Sequence, residues 1–399
     1  MRRALLILPT AGYRTEDFLA AAAALDVEVV VATDRRQTIG DALRIDLRRP
    51  ERAAEAIVEL ARDLPLDAVV AADDGGVVAA ALAATRLGLP SNPPDAAGRA
   101  RDKLALRRAL EAAGVAQPRF AELPPGGDVA AVGFPAVLKP TGLAMGRGVI
   151  RADDADSARA TERRIRKIVA AAGDDPAAPL LLEEYVPGVE VAVEGLLRAG
   201  RMETLAVFDK PDPLEGPYFE ETIYVTPSRL SATAQASVES LVASAAAAVG
   251  LREGPVHAEV RLDGGRMWTI ELAARSIGGL CGRTLRFGLG VRLEEVILRH
   301  ALGLPLDGRL RREEAAAGVM MLPTPHAGTL RAVAGQDEAR AVPGVSDIRI
   351  TIPAGGRLVP LPEGDRYLGF MFARGATPDE VESALRTAHA RLDVAIDPV

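Results

Sequence analysis

Short apolar runs at 4–8, 27–32 and 68–72 are separated by stretches at about 15–25, 52–63 and 76–87 in which apolar residues recur at helical spacing. Strands alternating with helices predict a parallel sheet for this part of the chain. Asp73-Asp74-Gly75-Gly76 follows the third strand at the carboxyl end of that sheet and reads as a turn and helix start. The stretch PSNPPDAAG, 90–98, is rich in turn residues and marks a boundary. A helix is predicted over 99–113, closed by Gly114, followed by strands at 134–139 and 180–186. Beyond 316, strands are predicted at 317–322, 328–333, 345–351 and 367–373. A last helix starts at the capping box Thr377-Pro378-Asp379-Glu380 and ends near Leu392.

The clearest pattern lies between Val256 and Arg275. Val256, Ala258, Val260 and Leu262 alternate with His257, Glu259 and Arg261, and Trp268, Ile270 and Leu272 alternate with Met267, Thr269 and Glu271. Two period-two runs around Asp263-Gly264-Gly265 predict a β-hairpin. Opposed residues share a face, so the apolar sets match if Leu262 faces Arg266 across a three-residue loop. A two-residue loop would send Glu259 and Glu271 to opposite faces, so the three-residue loop is expected, with both carboxylates on one face. Neighbouring carboxylates on such a face repel unless a cation lies between them. Mg²⁺ suits them, because it takes hard oxygen ligands and completes its octahedron with waters and substrate phosphates. The alternative is a solvated hairpin face that carries charges.

With 399 residues, nearly half of them apolar, the chain is long enough for two or three domains. A net charge of −7 and an aromatic content of 4% argue against a nucleic-acid partner and point to small molecules. The single cysteine, Cys281, excludes an internal disulfide and a cysteine-based zinc site, fits a cytoplasmic location, and reads as a small buried apolar residue. The amino-terminal run is too short and too soon interrupted by polar residues for a signal peptide, and no apolar stretch is long enough for a membrane span. Lysine is scarce. Among 48 basic residues only Lys103, Lys139, Lys167 and Lys210 are lysines, so those that remain are candidates for a compact point charge that arginine does not replace.

Two of them sit beside suggestive neighbours. Lys103 lies near a helix start, where its charge opposes the dipole unless an anion is close. Lys139 ends the strand FPAVLK and leads into TGLAMGRGV, whose Gly142, Gly146 and Gly148 let backbone N–H groups approach phosphate oxygens. No Gly-Lys dipeptide is present, so this is not a Walker A loop, and no G-x-G-x-x-G turn follows the first strand. In LLLEEYV and the bend at Pro187-Gly188, a strand leaving a core could offer backbone groups to an adenine, with Glu190 placed for ribose hydroxyls. Arg275 offers a planar fork to a carboxylate, and Ser276, Ile277, Gly278 and Gly279 can present N–H groups to an anion. His257 shares the face of Glu259 and is equally a phosphate contact or a structural histidine. The prolines and glycine between Lys210 and Glu221 suit a shaped loop near the same site, and an exposed loop is the simpler reading.

Lys103, the VLKP-to-glycine pattern at Lys139, the EEYVPGVE run, and Glu259 followed by Glu271 and Arg275 together resemble the ATP-grasp superfamily from about Lys103 to Pro305. The resemblance implies a mixed α/β and α+β fold. Its parts are a Rossmann-like domain at 1–98, a two-lobed ATP-binding region at 99–305 divided near 185, and a carboxy-terminal α+β domain at 306–399. It further implies that Lys103, Lys139 and the loop at Gly146 and Gly148 contact ATP phosphates. Glu183, Glu184 and Val186 lie along the adenine, the last two through backbone groups, with Glu190 at the ribose and His257 near the phosphates. Glu259 and Glu271 hold Mg²⁺ or Mn²⁺, while Arg275, Ser276, Gly278 and Gly279 receive the carboxylate substrate; Arg275 and Lys139 act in catalysis.

Many members carry asparagine two residues after the second glutamate, where this chain has Ala273; the run Glu271-Leu272-Ala273-Ala274-Arg275 is similar to the bacterial L-amino acid ligases. The expected activity is therefore ATP-dependent carboxylate–amine ligation through an acyl phosphate, with small-molecule acid and amine substrates, no membrane or nucleic-acid partner, and a homodimer as a common arrangement. A carboxylase or purine-pathway ligase of the same fold, and a nucleotide-binding sensor without catalysis, are the alternatives.

Overall fold

The computed structural model describes residues 1–9, 12–34 and 42–398. Four parallel strands form the first sheet, in the order Leu43–Arg44, Glu28–Thr33, Arg3–Ile7, Ala68–Ala71. Helices Thr15–Ala24 and Pro50–Asp63 connect them and Val77–Leu87 follows the last strand, all within a residue or two of the expected positions. The two-residue strand at Leu43 is too short to register as a pattern.

The helix expected over 99–113 is two helices, Pro94–Arg101 and Lys103–Ala112. Asp102 divides them: it is extended, and its side chain accepts from the Ala105 N–H at 2.8 Å, an N-cap that starts a second helix. Lys103 is thus the first residue of that helix, and its backbone N–H donates to the Thr141 carbonyl at 3.1 Å.

A second sheet is antiparallel, in the order Phe120–Leu123, Leu180–Glu184, Ala136–Lys139, Ile150–Ala152. The helix Ala155–Ala171 packs Ala158, Ile165 and Val169 against it. The third sheet has eight antiparallel strands, in the order Arg266–Ala273, Gly254–Asp263, Val189–Arg198, Arg201–Lys210, Ile223–Thr226, Ala316–Leu322, Gly369–Gly375, Val345–Ile350. Strands on both sides of the expected boundary at 305 therefore belong to one continuous sheet.

On one face of this sheet Val256, Ala258, Val260 and Leu272 pack with Val238, Val242 and Ala245 of helix Ala232–Val249 and with Leu106 and Leu110. On the other, Ala192, Leu196 and Phe208 pack with Leu293, Val296 and Ile297 of helix Leu293–Ala301 and with Ala4 and Leu6 of the first sheet. The even-numbered residues of the hairpin's first strand are the apolar set, as alternation requires. His257, Glu259 and Arg261 face the other way.

The hairpin turn differs from the expected one. Asp263 faces Arg266 and Leu262 faces Met267, so the loop is the two residues Gly264 and Gly265, with φ of +55° and +82°. Both values are positive, as in the tight turns that match strand twist. The register then shifts between Glu259 and Val260: Val260 faces Thr269 but Glu259 faces Glu271, leaving Ile270 as an extra, bulged residue. The two carboxylates do share a face, but a bulge puts them there and the turn alone would not. Gly188 is fixed by the same hairpin, because with φ +106° a Cβ would lie 2.1 Å from the Leu262 carbonyl oxygen.

Candidate active site

Four neighbouring strands set up rows of opposed side chains on one face of the large sheet. Lys210 on Arg201–Lys210 faces Glu190 on Val189–Arg198, and Glu190 faces Arg261 on Gly254–Asp263. One row on, Glu259 faces Glu271; in the next, His257 lies between Glu194 and Ala273. Lys210 Nζ donates to Glu190 at 2.6 Å, to Glu221 at 2.6 Å and to Glu259 at 2.8 Å. Tyr224 Oη donates to Glu221 at 2.6 Å. Three carboxylates thus surround one ammonium, and Arg261 neutralises the far oxygen of Glu190 at 2.8 Å. Burial alone would keep these acids protonated. Lys210 and His257 nevertheless hold Glu259 well below the usual carboxylate range, while burial and the charge of Glu259 push Glu221 up. His257 is raised to about 9: burial opposes this, but Glu194 at 3.3 Å and Glu259 at 3.9 Å outweigh it.

This face forms one wall of an open cleft enclosing about 1220 Å³, solvent included, and the second sheet forms the other. Lys139 arrives from the second sheet, buried, with Nζ 2.6 Å from Glu183. Lys103 Nζ donates to the Leu143 carbonyl at 2.6 Å. The glycine-rich loop that follows Lys139 lies down on the carboxy-terminal part of the chain. The Gly148 N–H donates to the Pro362 carbonyl at 2.9 Å, and Arg147 lies 3.6 Å from Asp365. Gly146, at φ +68°, is 3.3 Å from the Phe219 carbonyl by its missing Cβ. One end of the cleft is an apolar slot of Val137, Val149, Tyr185, Val186, Phe219 and Ile270; the other holds Arg275, Gly278 and Gly279 beside Cys281, Met321 and Tyr367.

At that second end the first sheet takes part. Asp74, in a short turn after strand Ala68–Ala71, pairs with Arg275 at 2.9 and 2.8 Å. Arg14, at the start of helix Thr15–Ala24, is buried with its guanidinium 2.6 Å from Ser276 Oγ and 2.8 Å from Glu294. Glu194, with no exposed surface, accepts from the Ile277 N–H at 2.8 Å.

An ATP-grasp domain model matches residues 132–284, an ATP-grasp N-terminal domain model matches 19–91, and an L-amino acid ligase C-terminal domain 2 model matches 320–397. The chain belongs to the ATP-grasp superfamily. Among curated proteins it is 34% identical to carnosine synthase 1 of Gallus gallus over 71% of this chain and 33% of that protein. It is 28% identical to an alanine–anticapsin ligase of Bacillus subtilis over 62% and 56%. The chain thus spans between a third and just over half the length of these relatives. The fold matches that of an L-amino acid ligase from Bacillus licheniformis, with a TM-score of 0.84 over 100% of this chain and 99% of that one at 24% identity.

Within this ATP-grasp chain the structure gathers Lys103, Lys139, Gly146, Glu183, Glu184, Val186, Glu190, His257, Glu259, Glu271, Arg275, Gly278 and Gly279 around a single cleft. Four expectations need correction. Glu183 is not offered to a ligand; at 2% exposure it is the counter-ion of Arg107 and Lys139. Gly148 does not line the cleft, and its N–H is taken by the Pro362 carbonyl at 2.9 Å, while Glu190 does line it, with Lys210 and Arg261 each bonded to one oxygen. Ser276 does not line the cleft, because its hydroxyl is buried against Arg14. The stretch from Lys210 to Glu221 is not simply an exposed loop, since Lys210 is buried and Leu214, Phe219 and Glu221 line the cleft.

The donor set fits a divalent cation. Glu259 and Glu271 are directly opposed and can share it, whereas the oxygens of Glu190, Glu221 and Glu259 that lie within 4.8 Å of one another are already held by Lys210 Nζ. Ala273, opposite His257, adds no ligand. Sequence reasoning missed Glu194, Arg14 and Arg107, and it singled out Lys210 and Asp74 without their partners. Two signals were available: Lys210 is one of only four lysines, and Glu190 and Glu194 share the period of their strand.

Glu183 also sets a pH dependence. Burial would raise its pKa, but Arg107 and Lys139 outweigh that and hold it at about 2 against an ordinary 4.5. A depressed carboxylate stabilises the fold above its unfolded pKa and loses that contribution as pH falls through the folded one. Glu183→Gln is therefore expected to cost roughly 3 kcal/mol at pH 7. In urea unfolding at stepped pH, the gap from the parent should narrow only between about 4.5 and 2. A constant gap across that range would dismiss the pairing.

Proposed function

We propose that the chain is an ATP-dependent carboxylate–amine ligase that activates an amino acid carboxylate as an acyl phosphate and joins it to an amine such as a second amino acid. The observation that carries this is one cleft holding two phosphate-type lysines, Lys103 and Lys139, the opposed pair Glu259 and Glu271, and an anion-accepting end at Arg275, Gly278 and Gly279. The relatives known as ligases support it.

In this reading the adenine enters the apolar slot. The Glu184 N–H already donates to the Arg119 carbonyl, and the Val186 carbonyl accepts from Arg261. The Glu184 carbonyl and the Val186 N–H therefore serve the base. Lys103 and Lys139 reach the phosphates from one wall. Mg²⁺ or Mn²⁺, held by Glu259 and Glu271, supplies further neutralisation of phosphate charge when bound. Arg275 and the N–H groups at Gly278 and Gly279 orient the substrate carboxylate. One of its oxygens attacks the γ-phosphorus as the bond to the β-phosphate oxygen breaks, giving acyl phosphate and ADP. The amine nitrogen then attacks the acyl carbon, phosphate leaves, and the new amide nitrogen gives up a proton. The loop from Gly142 to Gly148, seated on Phe219 and Pro362, keeps water from the acyl phosphate.

The test is ADP release from the purified protein with Mg-ATP and amino acids supplied singly and in pairs, with Glu271→Ala alongside. ADP should appear only with particular acids or pairs and fall by at least about a hundredfold in the variant. No turnover with any acid, bicarbonate included, despite ATP binding would replace this reading with that of a nucleotide sensor.

A further inference from the structure

Arg107 lies on helix Lys103–Ala112, is 1% exposed, and is absent from the cleft lining. Its donors leave the helix altogether. Nη1 donates to the Thr269 carbonyl at 2.9 Å and Nη2 to the Ile270 carbonyl at 2.6 Å, while Nε donates to Glu183, whose other oxygen holds Lys139 at 2.6 Å. Successive carbonyls of a regular strand point to opposite edges, so one guanidinium meeting both 269 and 270 marks the bulge at Ile270. The Thr269 N–H points the same way, to the Ala116 carbonyl at 2.9 Å. The bulge leaves these groups outside the ladder on the outermost strand of the large sheet, and Arg107 satisfies both carbonyls.

With a two-residue turn and no bulge, Glu259 would face Ile270, and Glu271 would turn to the face packed by Leu272. We propose that Arg107 is a positioning residue: its fork fixes the bulge that presents Glu271 beside Glu259, and through Glu183 it sets Lys139 on the facing wall. A single buried guanidinium thereby ties the phosphate lysine to the carboxylate pair across the cleft. The inference rests on the reading of Glu259 and Glu271 as the divalent-cation pair. Lysine at 107 keeps a charge for Glu183 but cannot take two carbonyls at once.

The test measures two equilibria on the full chain: Mn²⁺ binding in the presence of ADP by electron paramagnetic resonance, and ADP binding in EDTA by calorimetry. Arg107→Lys should weaken Mn²⁺ binding by about ten- to a hundredfold, as expected for loss of an outer support of a ligand, and change metal-free ADP affinity by less than about threefold. Glu183→Gln should do the reverse: Mn²⁺ affinity stays within about twofold while metal-free ADP affinity falls about tenfold, the loss of one charged hydrogen bond at Lys139. A general loss of structure would move both equilibria together. The proposal is overturned if folded Arg107→Lys keeps its Mn²⁺ affinity. It is overturned equally, even should Arg107→Lys not fold, if Glu183→Gln loses Mn²⁺ binding, since the charge network and not the fork would then support the cation. Failure of the parent protein to bind Mn²⁺ with ADP would remove the underlying reading and the inference with it.

Discussion

Arg275→Lys should lose ligation by about a thousandfold or more in kcat/KM for the acid, while ADP affinity stays within about threefold. Arg275 is not a free cation waiting for a substrate. Asp74 takes its Nε and Nη2, and Nη1 donates to the Ser276 carbonyl at 3.0 Å. The guanidinium is thus oriented by the first sheet at one edge, in the cleft that Gly278 and Gly279 also line. Lysine keeps the charge but has no fork, so it can satisfy Asp74 or face the substrate, not both. The adenine slot and the phosphate lysines lie elsewhere in the cleft, which is why nucleotide binding should survive. Asp74→Asn tests the orienting role: the guanidinium keeps its charge and loses a counter-ion, and ligation should fall by about ten- to a hundredfold. Steady-state kinetics with the preferred acid and calorimetry with ADP check both. Turnover within tenfold of the parent in Arg275→Lys would exclude this arginine as the partner of the carboxylate.

The parts of this site that could be read from the sequence are those governed by local period. Strand Gly254–Asp263 buries its even residues and turns His257, Glu259 and Arg261 to the cleft, as alternation dictates. The lysine ending Ala136–Lys139 and the glycines after it are placed by chain continuity. The bulge was not readable, because nothing in MWTIELA marks Ile270 as the residue that drops out of the ladder; it is settled by Arg107 from a helix more than 150 residues earlier. Asp74 looked like turn chemistry, and it is a turn, but its partner lies 201 residues away. Lys210 is the instructive case. Proline and glycine after it favour a surface loop, yet the strand that ends in Lys210 is interior to an eight-stranded sheet, and three glutamates from three segments converge on it. Only the assembled sheet reveals that juxtaposition.

Lys210→Met should be the most damaging single change to stability, and one that a divalent cation repairs. Lys210 is raised well above its ordinary value: burial works against the ammonium, and Glu190, Glu221 and Glu259 outweigh it. Removing it leaves three carboxylates whose oxygens lie within 4.8 Å of one another, with Arg261 serving only Glu190. An uncompensated buried charge of this kind costs about 3–5 kcal/mol. The sign with pH follows from the variant's carboxylates, which mutual repulsion raises above their unfolded values. Such groups favour the fold below the unfolded pKa and lose that contribution as pH rises, so the deficit should be largest near pH 8 and shrink toward about pH 4.5. Three oxygens at that spacing also form a cation site once the ammonium is gone. Added Mn²⁺ or Ca²⁺ should then raise the melting temperature of Lys210→Met far more than that of the parent, rising with the logarithm of the free cation concentration once that exceeds Kd. Thermal unfolding across pH, with and without the cation, reads all of this. A variant as stable as its parent at pH 8, and indifferent to divalent ions, would mean that the three glutamates do not converge on Lys210.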